Sequence, residues 1–239
     1  MQLSLRLSAV AAMVTPGNRL VDVGCDHGYL PVYLYLNDVI PKAVAMDVRP
    51  GPLSRAKEHI AQYQLEDYIE TRLSDGLEAL APGEGDTLVI AGKGGPLMER
   101  ILTKGSDVRE SFREMILQPQ SDIPHFRRFI REIGWEIDKE DLVLEDGKFY
   151  PMMHVVPGTG AVSAIDSDAP YSQEELFGGL LLEKHHPVLR QFLERELQIK
   201  DAILENMQDV QSDAAIGRRR QVEEERAQIL LALDQYEKI

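Results

Sequence analysis

Apolar and polar positions alternate along this chain in two rhythms. Leu3, Leu7, Val10, Ala11 and Val14 recur at helical spacing before Pro16-Gly17 interrupts them, which predicts a lead-in helix. Short apolar runs follow at 19–25, 42–48, 69–73, 87–91 and 115–118, separated by helical patterns over 50–63, 96–104 and 123–134. Strands buried on both faces read as near-continuous apolar runs, and the helices between them supply the covering layers. The alternation therefore predicts an α/β fold with a mainly parallel, doubly wound sheet. After Trp135, strand-like stretches 136–144 and 149–156 flank Glu145-Asp146-Gly147-Lys148. Its Asp-Gly pair favours a tight reversal, so an antiparallel hairpin should close the sheet.

The pattern changes at Pro157-Gly158-Thr159-Gly160 and stays polar through Asp168-Ala169-Pro170, as expected of a linker leaving a domain. The predicted division is a sheet domain over 1–157 and a linker plus helical domain over 158–239. From Glu174 the spacing is helical. Phe192, Leu193, Leu197, Ile203, Leu204, Met207 and Val210 form one stripe, and Ile216, Val222, Ile229, Leu230, Leu233 and Tyr236 a second. Two long antiparallel helices, separated near Ser212-Asp213 in a coiled-coil-like hairpin, are expected. Arg218-Arg219-Arg220 can touch phosphate or pair with neighbouring acids on the same hairpin.

Composition narrows the function. A 239-residue chain with 44% hydrophobic residues can bury a sizeable core. No run approaches the roughly 18 apolar residues of a membrane span, and the first residues lack a signal-peptide core, so a cytoplasmic protein without a membrane partner is expected. With 26 basic against 40 acidic residues, the net charge of −14 argues against broad attraction to nucleic acid or anionic lipid. Any RNA contact must be local. The best basic cluster is His125, Arg127, Arg128 and Arg131, whose arginines share one side of a helix after Pro124. The six histidines show no metal-ligand spacing, so no metal is expected. The single cysteine, Cys25, cannot form an internal disulfide, and a monomer is the expected state.

The most informative segment is Leu20-Val21-Asp22-Val23-Gly24-Cys25-Asp26-His27-Gly28-Tyr29-Leu30, a buried strand entering a glycine turn that opens a helix. Asp47, followed by Val48, closes the next apolar run, where a carboxylate can accept hydrogen bonds from ribose hydroxyls. The G-x-x-x-G spacing favours S-adenosylmethionine over a dinucleotide, whose pyrophosphate needs close-packed amides at a helix start. Ligands of such sheets bind where the strand order reverses, so the ends of the first four strands should converge. The third end carries Ser74-Asp75-Gly76; Asp75 can accept from an adenine amine or cap a helix from Leu77. The fourth carries Ala91-Gly92-Lys93-Gly94-Gly95, glycines that leave backbone open to a planar group. Lys93 can meet substrate phosphate or lie out in solvent. Asp26 and His27 are candidates for the reacting centre, with Gly92, Lys93 and Gly94 lining it; Cys25 is read as a small side chain beside the cofactor.

Through these residues, together with Leu5-Arg6-Leu7, Ile116-Leu117-Gln118-Pro119 and Glu145-Asp146-Gly147-Lys148-Phe149-Tyr150, the chain resembles the bacterial tRNA (adenine(22)-N1)-methyltransferase family over nearly its full length. The resemblance implies a Rossmann-like class I methyltransferase with a seven-stranded sheet of order 3-2-1-4-5-7-6 and a C-terminal coiled-coil domain. It places Asp22, Gly24, Asp26, His27 and Gly28 around the methionine part of S-adenosyl-L-methionine, Asp47 on its ribose, and Asp75 with Gly76 near its adenine. Cys25, Val48, Ala91 and Gly92 complete the expected cofactor site, and S-adenosyl-L-homocysteine is the implied product. Lys93 stands where the family typically has Met. Arg6, Lys93, Arg127 and Arg128 are the expected tRNA contacts. Rival readings are a methyltransferase acting on a small molecule or protein, a non-catalytic cofactor-binding RNA module, and a nicotinamide-dependent oxidoreductase.

Overall fold

The computed structural model describes residues 1–159, 166, 168–207 and 212–237; Gly160 of the linker and Val210 of the helical stripe lie outside them. Two compact units result, Met1–Ala169 and Pro170–Ile239.

The first unit holds one seven-stranded sheet: β1 (Leu20–Val23), β2 (Ala43–Asp47), β3 (Ile69–Leu73), β4 (Thr87–Lys93), β5 (Glu114–Pro119), β6 (Trp135–Glu145) and β7 (Lys148–Pro157). Their order is β3-β2-β1-β4-β5-β7-β6, as expected. The first five strands are parallel, while β7 runs antiparallel to both β5 and β6. Successive residues of a strand point to opposite faces, and here both faces are covered. Leu20, Val89, Ile116 and Met152 join one buried cluster; Val21, Leu88, Ile90, Leu117 and Met153 join the other. That is why these strands read as continuous apolar runs. The helices are α1 (Leu5–Ala12), α2 (Tyr29–Leu36), α3 (Pro50–Gln62), α4 (Gly95–Lys104), the short α5 (Ser106–Arg109) and α6 (Ile123–Glu132).

The amino ends of β4 and β5 are sealed by a polar cluster. Glu114 accepts hydrogen bonds from Thr15 N at 2.9 Å, Thr15 Oγ1 at 2.6 Å and Thr87 Oγ1 at 2.6 Å, and lies 3.0 Å from His154 Nε2. The opposite ring nitrogen of His154 meets Asp138, which sits at a register shift between Ile137 and Lys139 in β6. Burial favours the neutral form of Glu114, but the bonds from His154, Thr15 and Thr87 outweigh it and bring its pKa down to about 2. Burial likewise lowers the pKa of His154, and the two carboxylates override it to a net rise.

The second unit contains α7 (Gln173–Phe177), α8 (Gly179–Glu183), α9 (Pro187–Asn206) and α10 (Asp213–Glu237). A capping box between Ser172 and Glu175 starts α7. Leu189 and Leu193 of α9, and Val222, Ile229 and Ala232 of α10, are buried, whereas Ile216 and Leu230 remain exposed. Lys200 and Arg226 bridge the pair to Glu225 and Asp201. Arg218, Arg219 and Arg220 pair with Glu225, Glu223 and Glu224 of their own helix. No described helix is long and apolar enough to cross a membrane.

Candidate functional site

Between β1 and β4 the strand order reverses, opening a crevice at the carboxyl ends of the strands. After Val23 the chain enters left-handed backbone at Gly24, with φ +83°, a region a glycine occupies without steric cost. Gly24 N and Cys25 N both donate to Met46 O, at 2.7 and 3.0 Å, tying the turn to β2. His27 and Gly28 are also left-handed, with φ +63° and +61°, and α2 begins at once.

Across the crevice, the β4–β5 register shifts between Ala91 and Lys93, and Gly92 takes φ +73°. The fully buried Gln118 supplies the acceptor at this irregularity: its Oε1 receives Gly92 N and Arg6 Nη1, each at 3.1 Å. Arg6 also lies over the Tyr150 ring, 5.5 Å from its centre. A bulge re-aims the neighbouring side chain, and Lys93 runs back over the turn. A Cβ placed on Gly24 would lie 2.3 Å from Lys93 Cε and 2.6 Å from its Nζ. Lys93 thus leans into the cavity rather than out into solvent.

That cavity, about 520 Å³, is lined by the predicted residues Arg6, Asp22, Gly24, Cys25, Asp26, His27, Ala91, Gly92 and Lys93. Sequence reasoning missed Gln2, Leu3, Ser4, Leu7, Tyr29, Leu30 and Gln120. Tyr29 and Leu30 follow the glycine turn directly and Gln120 follows the end of β5, so adjacency to strand ends was their available signal. Gly28, Asp47, Val48, Asp75, Gly76 and Gly94 do not line it. Asp47 is buried and accepts from Arg49 N at 2.9 Å, while Val48 is exposed. Gly94 abuts Ser121, and Gly28 packs toward Ala56. Asp75 lines a second, smaller cavity of about 180 Å³ and pairs with Arg100 at 3.1 Å. No helix starts at Leu77, which falls in a turn. Instead Ser74 Oγ accepts from Ala79 N and donates to Gly76 O, so the capping role read for Asp75 is not fulfilled.

Burial pushes the Asp22 carboxyl up to about 7; Lys93 opposes the rise and Asp47 adds to it. Burial also raises Asp26, but a 2.7 Å bond from Arg55 and the charge of His27 outweigh it, so Asp26 is held below the ordinary range. The Cys25 thiol is raised by burial and then by Asp22 and Asp47, so it remains a protonated, small side chain.

The RNA-facing arginines expected on α6 are a correction. Arg127 and Arg128 are both 4% exposed. Arg127 Nε donates to buried Glu140 Oε1 at 2.9 Å, and Arg128 Nη1 donates to Ala169 O at 2.9 Å. Helical spacing grouped them with Arg131, which stays exposed, but Arg127 and Arg128 turn inward, Arg127 toward Glu140 on β6.

A cavity floored by glycine backbone and holding one buried carboxylate suits a sulfonium-bearing amino acid. Together with the sheet order, the glycine turn after β1 and the acid closing β2 define a class I S-adenosylmethionine-dependent methyltransferase, and residues 3–153 match the family model described as a methyltransferase domain. Over 213 residues the chain is 33% identical to the tRNA (adenine(22)-N(1))-methyltransferase of Bacillus subtilis (strain 168), covering 87% of this chain and 86% of that protein. It belongs to the tRNA (adenine(22)-N1)-methyltransferase family. The crystal structure of the B. subtilis m1A22 tRNA methyltransferase TrmK superposes with a TM-score of 0.82 at 28% identity, covering 97% of this chain and 98% of that one. A Streptococcus pneumoniae protein solved in complex with S-adenosyl-L-methionine gives 0.84 at 29% identity, covering 97% and 100%.

Proposed function

We propose that this protein transfers a methyl group from S-adenosyl-L-methionine to N1 of adenine 22 in tRNA. The likeness to the B. subtilis enzyme across 87% of the chain carries the substrate assignment, and the cavity supports the chemistry. When bound, the donor supplies an activated methyl group. The N1 lone pair forms the new N–C bond as the S–C bond breaks and its electrons return to sulfur, so positive charge passes from sulfur to the adenine ring. No proton has to leave N1 first, and catalysis is mostly positioning.

In this reading Asp22 faces the cationic methionine end of the donor, with the backbone of Gly24, Cys25 and Ala91 beneath it, and Asp47 with Val48 meets the ribose. Asp75 and Gly76 border the adenine, Asp75 sharing its carboxylate with Arg100. Asp26 and His27, at the mouth, face the incoming base; Asp26 stays ionised and can stabilise the charge that develops there. Gly92 and Gly94 keep the wall low for a planar base, and Arg6 holds the RNA near the entrance. In the same reading the protein is a monomer that acts on tRNA in the cytoplasm and uses no metal.

Incubation with labelled S-adenosylmethionine and unmodified bacterial tRNA, followed by mapping of the modified base, should find 1-methyladenosine at position 22. No incorporation, or label on another base, would overturn the assignment.

A further inference from the structure

Four rings run in an unbroken series from the cavity mouth along α3. His27 lies parallel to Tyr29, centres 5.1 Å apart and planes 8° apart. Tyr29 meets His59 edge-to-face at 4.9 Å, and His59 meets Tyr63 in the same way at 5.2 Å. Arg55, His59 and Tyr63 are spaced four residues apart and share one stripe of the helix. Arg55 grips Asp26, so this stripe docks α3 onto the glycine turn. Docking accounts for the inner contacts of the series but not for its outer surface. Tyr29 is 40% and Tyr63 38% exposed, and the His27 side chain 39%. His27 also holds left-handed backbone, a conformation that a non-glycine residue adopts against steric resistance and that concentrates at functional sites.

We infer that this ring series is a stacking platform for unpaired nucleobases of the substrate RNA, those flanking the base that enters the cavity. The inference rests on the tRNA reading above. N1 lies on the pairing edge of adenine, so the target must be unpaired or splayed out, and its neighbours then lose stacking partners. A net charge of −14 gives the protein little general attraction for phosphate. Stacking does not depend on that balance: it contributes about 1–3 kcal/mol per base and tolerates any sequence. The same helix carries two exposed cations, Arg49 at its N-cap and Arg55 one turn before His59, their side chains 72% and 45% exposed. They can meet the backbone of a strand whose bases lie on the rings.

Fluorescence anisotropy with a labelled RNA hairpin bearing an unpaired purine loop, against a fully paired duplex, tests this directly. The parent protein should bind the hairpin more tightly. Tyr63→Ala should weaken hairpin binding roughly 5- to 150-fold while leaving duplex binding and the calorimetric heat of S-adenosylhomocysteine unchanged. Tyr63→Phe should restore hairpin affinity. Tyr63→Leu keeps apolar bulk against His59 without a stacking face, and should behave like alanine. A folded Tyr63→Ala protein that binds the hairpin like the parent would overturn the inference, as would equal losses on hairpin and duplex. Because binding is read apart from methyl transfer, a parent that binds hairpins through Tyr63 yet leaves tRNA unmethylated would sink the activity alone.

Discussion

Glu114 and Asp22 are buried carboxylates at opposite ends of the same sheet, 4% and 7% exposed, and they are perturbed in opposite directions. Glu114, at the amino end of β5, is brought down to about 2 by Thr15, Thr87 and His154; Asp22, near the carboxyl end of β1, is pushed up to about 7 by burial. Burial pushes both carboxyls upward, so the sign is set by the supply of donors. At one end the desolvation of the acid is already offset by protein groups. At the other it is left for a ligand to offset, and a cationic ligand stands to gain there.

The largest effect is expected at the satisfied end. Glu114→Ala leaves the buried His154 with Asp138 alone and strips Thr15 and Thr87 of their acceptor, so stability should fall by about 3–5 kcal/mol, the usual range for breaking a buried pair. Urea denaturation would read this, with donor affinity of the folded protein unchanged. At the other end the pattern should invert. Asp47→Ala should weaken S-adenosylhomocysteine binding by roughly 10- to 100-fold, as hydrogen bonds to a charged group of about 1.5–3 kcal/mol are lost, with little movement of the urea midpoint. A variant that loses stability but keeps affinity would break the contrast.

Titration sharpens it. The folded-state pKa of Asp22 is raised, so the folded protein without ligand favours its protonated form, and a bound cation favours the ionised form. Donor affinity should then fall by up to about tenfold per unit as pH drops below about 7, and Asp22→Asn should flatten the profile in calorimetry. Glu114 has the opposite sign. Its contribution is present above about pH 4.5 and lost as pH falls toward about 2, so acid should unfold the parent more steeply than Glu114→Gln. The smallest effect is expected at Gly28, where an added Cβ would sit 3.4 Å from Ala56 Cβ on left-handed backbone. Gly28→Ala should cost about 1 kcal/mol and leave methyl transfer within about twofold; a larger loss would show that this backbone touches a ligand.

The strand runs, the terminal hairpin and the glycine turn were legible because each is written locally, in consecutive residues. The family resemblance supplied the sheet order, which periodicity alone cannot. What escaped was encoded at a distance. Arg127 and Arg128 read as an RNA-facing cluster because Glu140, which holds Arg127 inside, lies on a later strand. Glu114 and His154 are 40 residues apart, and nothing near either announces the other. Lys93 is a case between the two. Its unusual place among glycines was visible, but its direction depends on a bulge whose compensating acceptor, Gln118, belongs to the neighbouring strand.

The pose of Lys93 across Gly24 bears on inhibitor discovery. Compounds fitted to the cavity would meet this flexible cation as well as the rigid glycine turn, and molecules carrying a positive group of their own beside Asp22 would compete with the charge that the lysine already sets there.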